Sequence, residues 1–435
     1  MFGPQDKERT LINFELIGRP HGIPLYFQRL PGNRVSIRLA FFVGSMDDTE
    51  VGGINGHGLA HWFEHVPFRG TRSYPKGADD LFPTIERYGG DLNASTGQTK
   101  TVYHSVVPRS IWPQALDIVT DLAGCPLMTE AGIEAERQVI YSEIGQARAN
   151  LGQRLWQELL PRLWPDHPIG HTVRGTKESL SQMGPETVRF AHRNLYDRSR
   201  AVLIISGDID PSIVMLEATK HLEKIQSHGL PKRSGPVSYG QLPTWRPRRE
   251  DIETEFEASL VAMAWPISDT TMSGAIEQTF LQKWLGMVFS AGSLSSPLMR
   301  KLRTERQLVY SAGSSNFFPS VDGGVFVLTA MTKSRDNLRS IIDGFQEVAS
   351  SDELRSENWH DYIADNISGF RDMEVMDAHD HTGTLLSRLI VDGVDPLSDD
   401  EWYEQYLSLD RSKIVSALDK LTLDRACIFT LEGTK

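Results

Sequence analysis

Five consecutive residues, His61-Trp62-Phe63-Glu64-His65, hold two imidazoles and a carboxylate at spacings that metal chemistry can use. On an α-helix each residue advances about 100°, so His61 and His65 lie about 40° apart on the wheel and one turn apart along the axis. Both rings can therefore reach one ion. Glu64 falls about 60° from His61 in the same geometry, beside such an ion, where it can take a proton from a water. A histidine pair at this spacing also occurs on helices that bind nothing, so further ligands have to decide. A catalytic zinc ion takes three protein ligands and keeps a fourth position for water. The segment Glu136-Arg137-Gln138-Val139-Ile140-Tyr141-Ser142-Glu143 offers two carboxylates seven residues apart, on a helix face shared with Ile140. A solvated Glu pair is the competing explanation, and the histidine motif tips the choice towards inward-facing carboxylates.

Positioning these groups requires strands and helices that the hydrophobic periodicity lets us place. Val35, Ile37, Leu39, Phe41 and Val43 alternate, which predicts a strand over Arg34 to Val43. A helix is expected after the glycines at 52, 53, 56 and 58, and a shorter one over Asp79 to Tyr88. Strands are expected over Leu92 to Thr96 and Thr101 to Val107, helices over Ile111 to Leu122 and Glu134 to Leu151, and a closing strand over Arg200 to Ser206. The same order recurs about 222 to 226 positions later in Ala258 to Trp265, Ala275 to Phe289, Val325 to Met331, Asn337 to Val348 and Ala426 to Leu431. The expected fold class is α+β, with two homologous domains, each a largely antiparallel sheet with helices packed on one face. The expected divisions are a domain over 1–225, a Pro- and Gly-rich linker over 226–249, and a second domain over 250–435.

A chain of 435 residues suits two cores, and 40% hydrophobic with 23% charged residues is ordinary for a globular protein. The formal net charge of −12 argues against a nucleic-acid partner, which needs a basic face. Two cysteines, Cys125 and Cys427, fall in different halves, so any metal is expected on His and carboxylate and not on thiolate. Met1 to Phe14 is charged and carries no apolar segment of a cleavable signal, and no run approaches the roughly 18 apolar residues of a membrane span. A cytoplasmic location with no membrane partner is the expectation, or a periplasmic one if a signal has already been removed.

The run His61-Trp62-Phe63-Glu64-His65-Val66-Pro67-Phe68-Arg69-Gly70-Thr71, with Glu143 placed 78 residues after His65, resembles the pitrilysin family of inverzincins, to which insulysin and the mitochondrial processing peptidase belong. The resemblance implies that Glu143 is the third zinc ligand beside His61 and His65, one Zn2+ per chain, and that Glu136 is a supporting carboxylate. It implies that Leu92-Asn93-Ala94-Ser95-Thr96 is a substrate-binding edge strand, with Asn93, Ala94 and Ser95 against an extended peptide. Arg303 and Tyr310, seven residues apart, resemble the family's second-half pair, which implies that Arg303 holds substrate backbone and Tyr310 donates to the oxyanion. His57, one turn before His61, is expected at the rim. The tract Asp377-Ala378-His379-Asp380-His381 is expected to be a polar helix segment.

With Glu64 as general base, these residues imply a zinc-dependent endopeptidase. Because relatives close a chamber from four such domains, the resemblance implies a dimer of this two-domain chain. A homodimer is expected, with a heterodimer with a related subunit as the alternative. The rival function is a non-catalytic or partner-dependent subunit of a heterodimeric peptidase.

Overall fold

The computed structural model describes residues 13–49, 57–233, 244–267, 275–291, 293–320, 323–373, 377–392 and 398–434. In chain order the first half gives β1 (Glu15–Gly18), β2 (Leu25–Gln28), β3 (Arg34–Phe41), α1 (Leu59–His65), α2 (Ala78–Glu86), β4 (Asp91–Thr96), β5 (Thr101–Pro108) and α3 (Trp112–Gly124). It continues through α4 (Glu130–Arg148), α5 (Leu151–Leu163), α6 (Pro185–Leu195), β6 (Ala201–Ser206) and α7 (Pro211–Leu222). The second half gives β7 (Arg248–Thr254), β8 (Ser259–Ile267), α8 (Ala275–Ser290), β9 (Ser311–Ser320), β10 (Gly323–Thr332), α9 (Leu338–Ala349), α10 (Glu357–Met373), α11 (Ala378–Asp392) and β11 (Cys427–Gly433). No helix among the described residues is long and apolar enough to cross a membrane.

Among the described residues two sheets form, in the orders β1-β2-β6-β3-β5-β4 and β7-β11-β8-β10-β9. Leaving out β1, the second order repeats the first, strand for strand. The repeat extends to direction: β2 runs parallel to β6 and β7 parallel to β11, while the remaining neighbours are antiparallel. The expected duplicated α+β fold is therefore present. Strands that the periodicity missed are those without a clean alternation. β2 is four buried residues, β9 is rich in Ser, and β7 is a charged edge strand whose first residues, Arg248 and Arg249, fall inside the expected linker.

Period two sorts each central strand between two cores. On β6, Ala201, Leu203 and Ile205 join the main core with Val35, Ile37, Leu39 and Phe41 of β3, against α1, α3, α4 and α7. Val202 and Ile204 point the other way, into a smaller cluster with Tyr26, Ala40, Val102, Leu385, Leu386 and Leu389. Those three leucines belong to α11, which comes from the second half of the chain.

The compact units are accordingly discontinuous, where the sequence led us to expect contiguous domains. One comprises Met1–Ala147, Trp164–Gly235 and Val375–Asp399, and the other Arg148–Leu163, Pro236–Glu374 and Asp400–Lys435. The physical reason is an exchange of helices. α11 lies on β3 and β6 of the first unit, and α5 lies on β8 and β11 of the second. The tract Asp377 to His381 is the polar anchor of α11. Arg38 Nε donates to Thr382 Oγ1 at 2.8 Å, Arg38 Nη2 meets His379 Nε2 at 2.7 Å, Arg34 pairs with Asp377 at 2.5 Å, and His381 Nδ1 lies 3.0 Å from Gln28 Oε1. In α5, Leu155, Leu159 and Leu160 are buried, and the Trp156 ring lies 3.6 Å from that of Phe317.

If α11 closes the second face of the first sheet, Leu386→Ala should cost about 2–5 kcal/mol, the range for emptying a buried leucine site. Urea unfolding would show it as a lowered midpoint. Leu423→Ala, at a side chain 45% exposed, should stay within about 0.5 kcal/mol.

Candidate metal centre

α1 has only seven residues, so its placement is imposed from outside. At its start the buried Asp48 carboxylate accepts from the backbone N–H of Gly58 (2.7 Å), Leu59 (3.2 Å) and Ala60 (2.8 Å), filling the donors that a helix N-terminus leaves open. Burial pushes the Asp48 carboxyl up, and these three donors oppose it. Gly58 has φ +96°, and a Cβ there would lie 2.6 Å from the Arg174 carbonyl oxygen, so glycine lets the two backbones touch. Along the helix, Trp62 Nε1 donates to the Ile133 carbonyl of α4 at 3.1 Å, and Tyr103 of β5 donates to the Phe63 carbonyl at 2.9 Å. The Arg137 guanidinium of α4 packs over the Trp62 ring at 4.5 Å.

His61, His65 and Glu143 meet there, with ligand atoms all within 4.8 Å of one another. Glu143 Oε2 lies 3.5 Å from His61 Nε2, and Glu143 Oε1 lies 3.6 Å from His65 Nε2. Both separations exceed a good hydrogen bond. Two ligands about 2.1 Å from a tetrahedral ion stand about 3.4 Å apart, so the set fits zinc better than it fits a hydrogen-bonded pair. Burial, with the charges of His65 and Arg174, drives the His61 pKa down to about 3, so its ring is a neutral donor. His57 is outside the cluster: its ring stacks on His171 at 3.4 Å, which suits the rim position expected for it.

Glu136 supports the cluster. His65 Nδ1 donates to Glu136 Oε2 at 2.9 Å, which leaves His65 Nε2 as the ring's lone-pair atom. The other Glu136 oxygen accepts from Arg69 Nε. Burial would raise the Glu136 pKa, but the bonds from His65 and Arg69 hold it below the usual range. For His65, burial pulls the pKa down, while the bond to Glu136 and the charges of Glu143 and Glu64 carry it above its ordinary value.

Glu64 opens onto a cleft of about 330 Å³ that is also lined by His65, Phe68, Arg69, Ala78, Phe82, Asn93, Ala94 and Glu136. Burial raises its pKa, against the hydrogen bond from Thr96 and the charge of His65, while Glu143 raises it further. The Phe68 and Phe82 rings stack 5.7 Å apart and give the cleft an apolar side. Asn93, Ala94 and Ser95 lie on β4, which among the described residues pairs only with β5 and forms the sheet edge. The Ala94 N–H is held by its neighbour's Asn93 Oδ1 at 2.8 Å. Arg303 and Tyr310 belong to the second unit: Arg303 is in the π-helical segment Arg300–Glu305, and Tyr310 directly precedes β9. Both are exposed.

Sequence reasoning missed Asp48, Arg69 and Arg174 as site residues, and it placed Thr96 on the edge strand without its bond to Glu64. Arg69 adjoins the motif, but an arginine's partner 67 residues away leaves no local signal. Asp48 caps from 10 positions before Gly58, beyond the usual N-cap spacing.

Two outcomes follow. Glu136→Gln removes the charge that orients His65, so zinc affinity measured by competition with a chromophoric chelator should fall about 10–100-fold. Beneath α1, His192 lies against Phe63 and donates to the Ala123 carbonyl at 3.0 Å, and burial lowers its pKa to about 4. The unfolded chain binds a proton here that the folded chain refuses, so this group's contribution to stability is full above about pH 6.5 and is lost as pH falls towards 4. Urea midpoints of the metal-free protein should show that decline, and His192→Gln should make it shallower, with His61 and His104, held at about 3 and about 4, supplying the remainder.

Comparison with known proteins places the chain in a family. Two family models match, "Insulinase (Peptidase family M16)" over residues 26–177 and "Peptidase M16 inactive domain" over residues 183–351. A Streptomyces coelicolor protein named as an uncharacterized zinc protease is 26% identical over 382 residues, 85% of this chain and 78% of its own length. One from Rickettsia bellii with the same description is 26% identical over 322 residues, 74% of each chain. Among solved structures, a protease from Helicobacter pylori matches with TM-score 0.82 at 19% identity, over 97% of this chain and all of the other. Pitrilysin matches with TM-score 0.73 at 17% identity, over 95% of this chain and 44% of pitrilysin. With one family model spanning the His61, His65 and Glu143 cluster and the other following it along the chain, the protein belongs to peptidase family M16, the pitrilysin family.

Proposed function

We propose that this chain is a zinc-dependent endopeptidase that hydrolyses peptides or unfolded segments bound as an added strand. The observation that carries the proposal is the convergence of His61, His65 and Glu143 beside a cleft into which Glu64 opens, with the free edge of β4 lining the same cleft. Zinc held by those three residues would polarise the scissile carbonyl and make water acidic enough to attack near neutral pH.

The chain's own residues supply the rest. Glu64 takes the proton of the attacking water and delivers it to the leaving amine, and a pKa raised by burial suits a group that must both accept and release it. Thr96 fixes the carboxylate. The open side of β4 offers main-chain hydrogen bonds to an extended peptide, which select for strand shape over sequence. The apolar wall of Phe68 and Phe82 favours a large apolar side chain next to the scissile bond.

Arg303 and the Tyr310 hydroxyl complete the proposal as the groups that hold substrate backbone and the oxyanion. Arg300 and Arg306, on either side, are paired with Glu353 and Glu347. Arg303 makes no such pair among the described residues. We place this pair in trans, in a homodimer where each chain completes its partner's site, with a heterodimer as the variant. α8, which repeats the position of α1, contains no histidine, so the second half cannot bind zinc in the same way.

Glu64→Gln should lower kcat on a quenched peptide by about 10²–10⁴-fold while zinc content stays unchanged. Equal cleavage by parent and variant would instead support a non-catalytic subunit. Mixing Glu64→Gln with Arg303→Ala chains under subunit exchange should restore activity at one site per hybrid dimer. Absence of recovery, with exchange verified by mass, refutes the trans arrangement.

A further inference from the structure

A second cavity of about 330 Å³ lies in the first unit, on the opposite side of its sheet from the metal centre. Strand alternation fixes that placement. Val202 faces away from the core that packs α1, and with Tyr26 and Leu389 it forms the cavity floor, to which Phe42 adds its ring. The rim has the opposite character: Arg19, His21, Arg198, Lys232 and Arg233 line it, and among the described residues no carboxylate does.

This rim is built. Arg198 donates through Nη2 to the Glu223 carbonyl at 2.9 Å and through Nε to the Ile225 carbonyl. The strap that carries Lys232 and Arg233 is tied to the approach of β6. Arg233 N–H donates to the Ser199 carbonyl at 3.2 Å, Ser199 Oγ donates to the Leu230 carbonyl at 3.0 Å, and Arg198 N–H donates to the Gln226 carbonyl at 3.1 Å. His21 takes a left-handed backbone conformation, φ 52°, and its ring meets the Thr219 carbonyl at 2.8 Å. Asp47 neutralises Arg233 from outside the cavity. Arg19 and Lys232 are exposed and make no ion pair among the described residues.

We infer that this cavity binds a small amphipathic carboxylate, its apolar body on Tyr26, Val202 and Leu389 and its anionic head between Arg19 and Lys232. An apolar floor removes hydrocarbon from water, while paired cations without a competing carboxylate select an anion over a neutral or cationic head. At the roughly 30 Å³ that a water occupies in the liquid, the volume holds about ten non-hydrogen atoms, the size of an eight-carbon carboxylate. Because the sheet lies between the two sites, the ligand is not the substrate of the metal centre.

Calorimetric titration of the full chain with octanoate, octanol and octylammonium tests this. Octanoate should bind, octylammonium should give no saturable heat, and octanol should bind about tenfold more weakly or worse. Arg19→Glu with Lys232→Glu, both at exposed positions, should weaken octanoate by about tenfold or more without lowering the thermal midpoint. Leu389→Trp should block it by filling the floor. Prior removal of zinc with a chelator should leave binding intact. Loss of binding on chelation would place octanoate on the metal and overturn the proposal. Equal affinity for octanol, or an unchanged affinity in the charge-reversed variant, would also overturn it. None of these readouts depends on whether the chain cleaves peptides.

Discussion

Everything at the candidate metal centre depends on fixing a helix that is too short to fix itself. An isolated helix needs about 12–15 residues to be even marginal in water, and α1 has seven. Its geometry is therefore set by three neighbours on three different elements. Asp48 fills its N-terminal donors, the Ile133 carbonyl of α4 holds the Trp62 indole, and Tyr103 of β5 holds the Phe63 carbonyl. Trp62 and Phe63 point into the core, and the same rotation that buries them turns His61, Glu64 and His65 towards Glu143 and the cleft. The hydrophobic effect thus orients the ligands, and the hydrogen bonds set their height.

α4 performs several of these tasks at once because of its periodicity. Ile133, Glu136, Arg137, Ile140, Ile144 and Ala147 form its buried face. Arg137 donates to the Leu180 and Met183 carbonyls and pairs through Nε with Glu134 at 2.9 Å, so its guanidinium sits against Trp62 with its charge paired. Glu136 links Arg69 to His65, and Glu143 lies between Ile140 and Ile144. A carboxylate on this face is costly to bury alone: Glu136 is held by the Arg69 guanidinium and the His65 ring, and Glu143 has Arg174 at 3.6 Å with the two imidazoles at 3.5 and 3.6 Å.

What the sequence made legible was local. The pair His61 and His65, the seven-residue spacing of Glu136 and Glu143, and the alternation in β3 are each encoded within one element, so 3.6- and 2-residue periods were sufficient. The duplication was also readable, since a constant offset survives where identity does not. Three kinds of feature were not readable. Asp48 and Arg69 act on partners distant in sequence, β7 and β9 carry too little apolar alternation to announce themselves, and the ownership of α5 and α11 is decided by packing. The polar tract at Asp377 to His381 illustrates the last kind. As a string it resembles a ligand cluster, yet its groups are used against Arg34, Arg38 and Gln28 to seat a helix on the wrong half's sheet.

That exchange bears on why a duplicated protein has kept unequal halves in one chain. The first unit holds the candidate ligands, and the second holds Arg303 and Tyr310 but no histidine on α8. Had each half folded alone, the two could be made, lost or varied separately. Instead Leu385, Leu386 and Leu389 of α11 cover Tyr26, Ala40 and Val202, and Leu155 and Leu159 of α5 are buried with the opposite unit. Cutting the chain between halves would bare an apolar sheet face on one unit and strip a helix from the other, and each bare face would favour aggregation over folding. The buried leucines therefore make each unit depend on a helix from the other half of the chain, a constraint by which packing alone keeps both halves together.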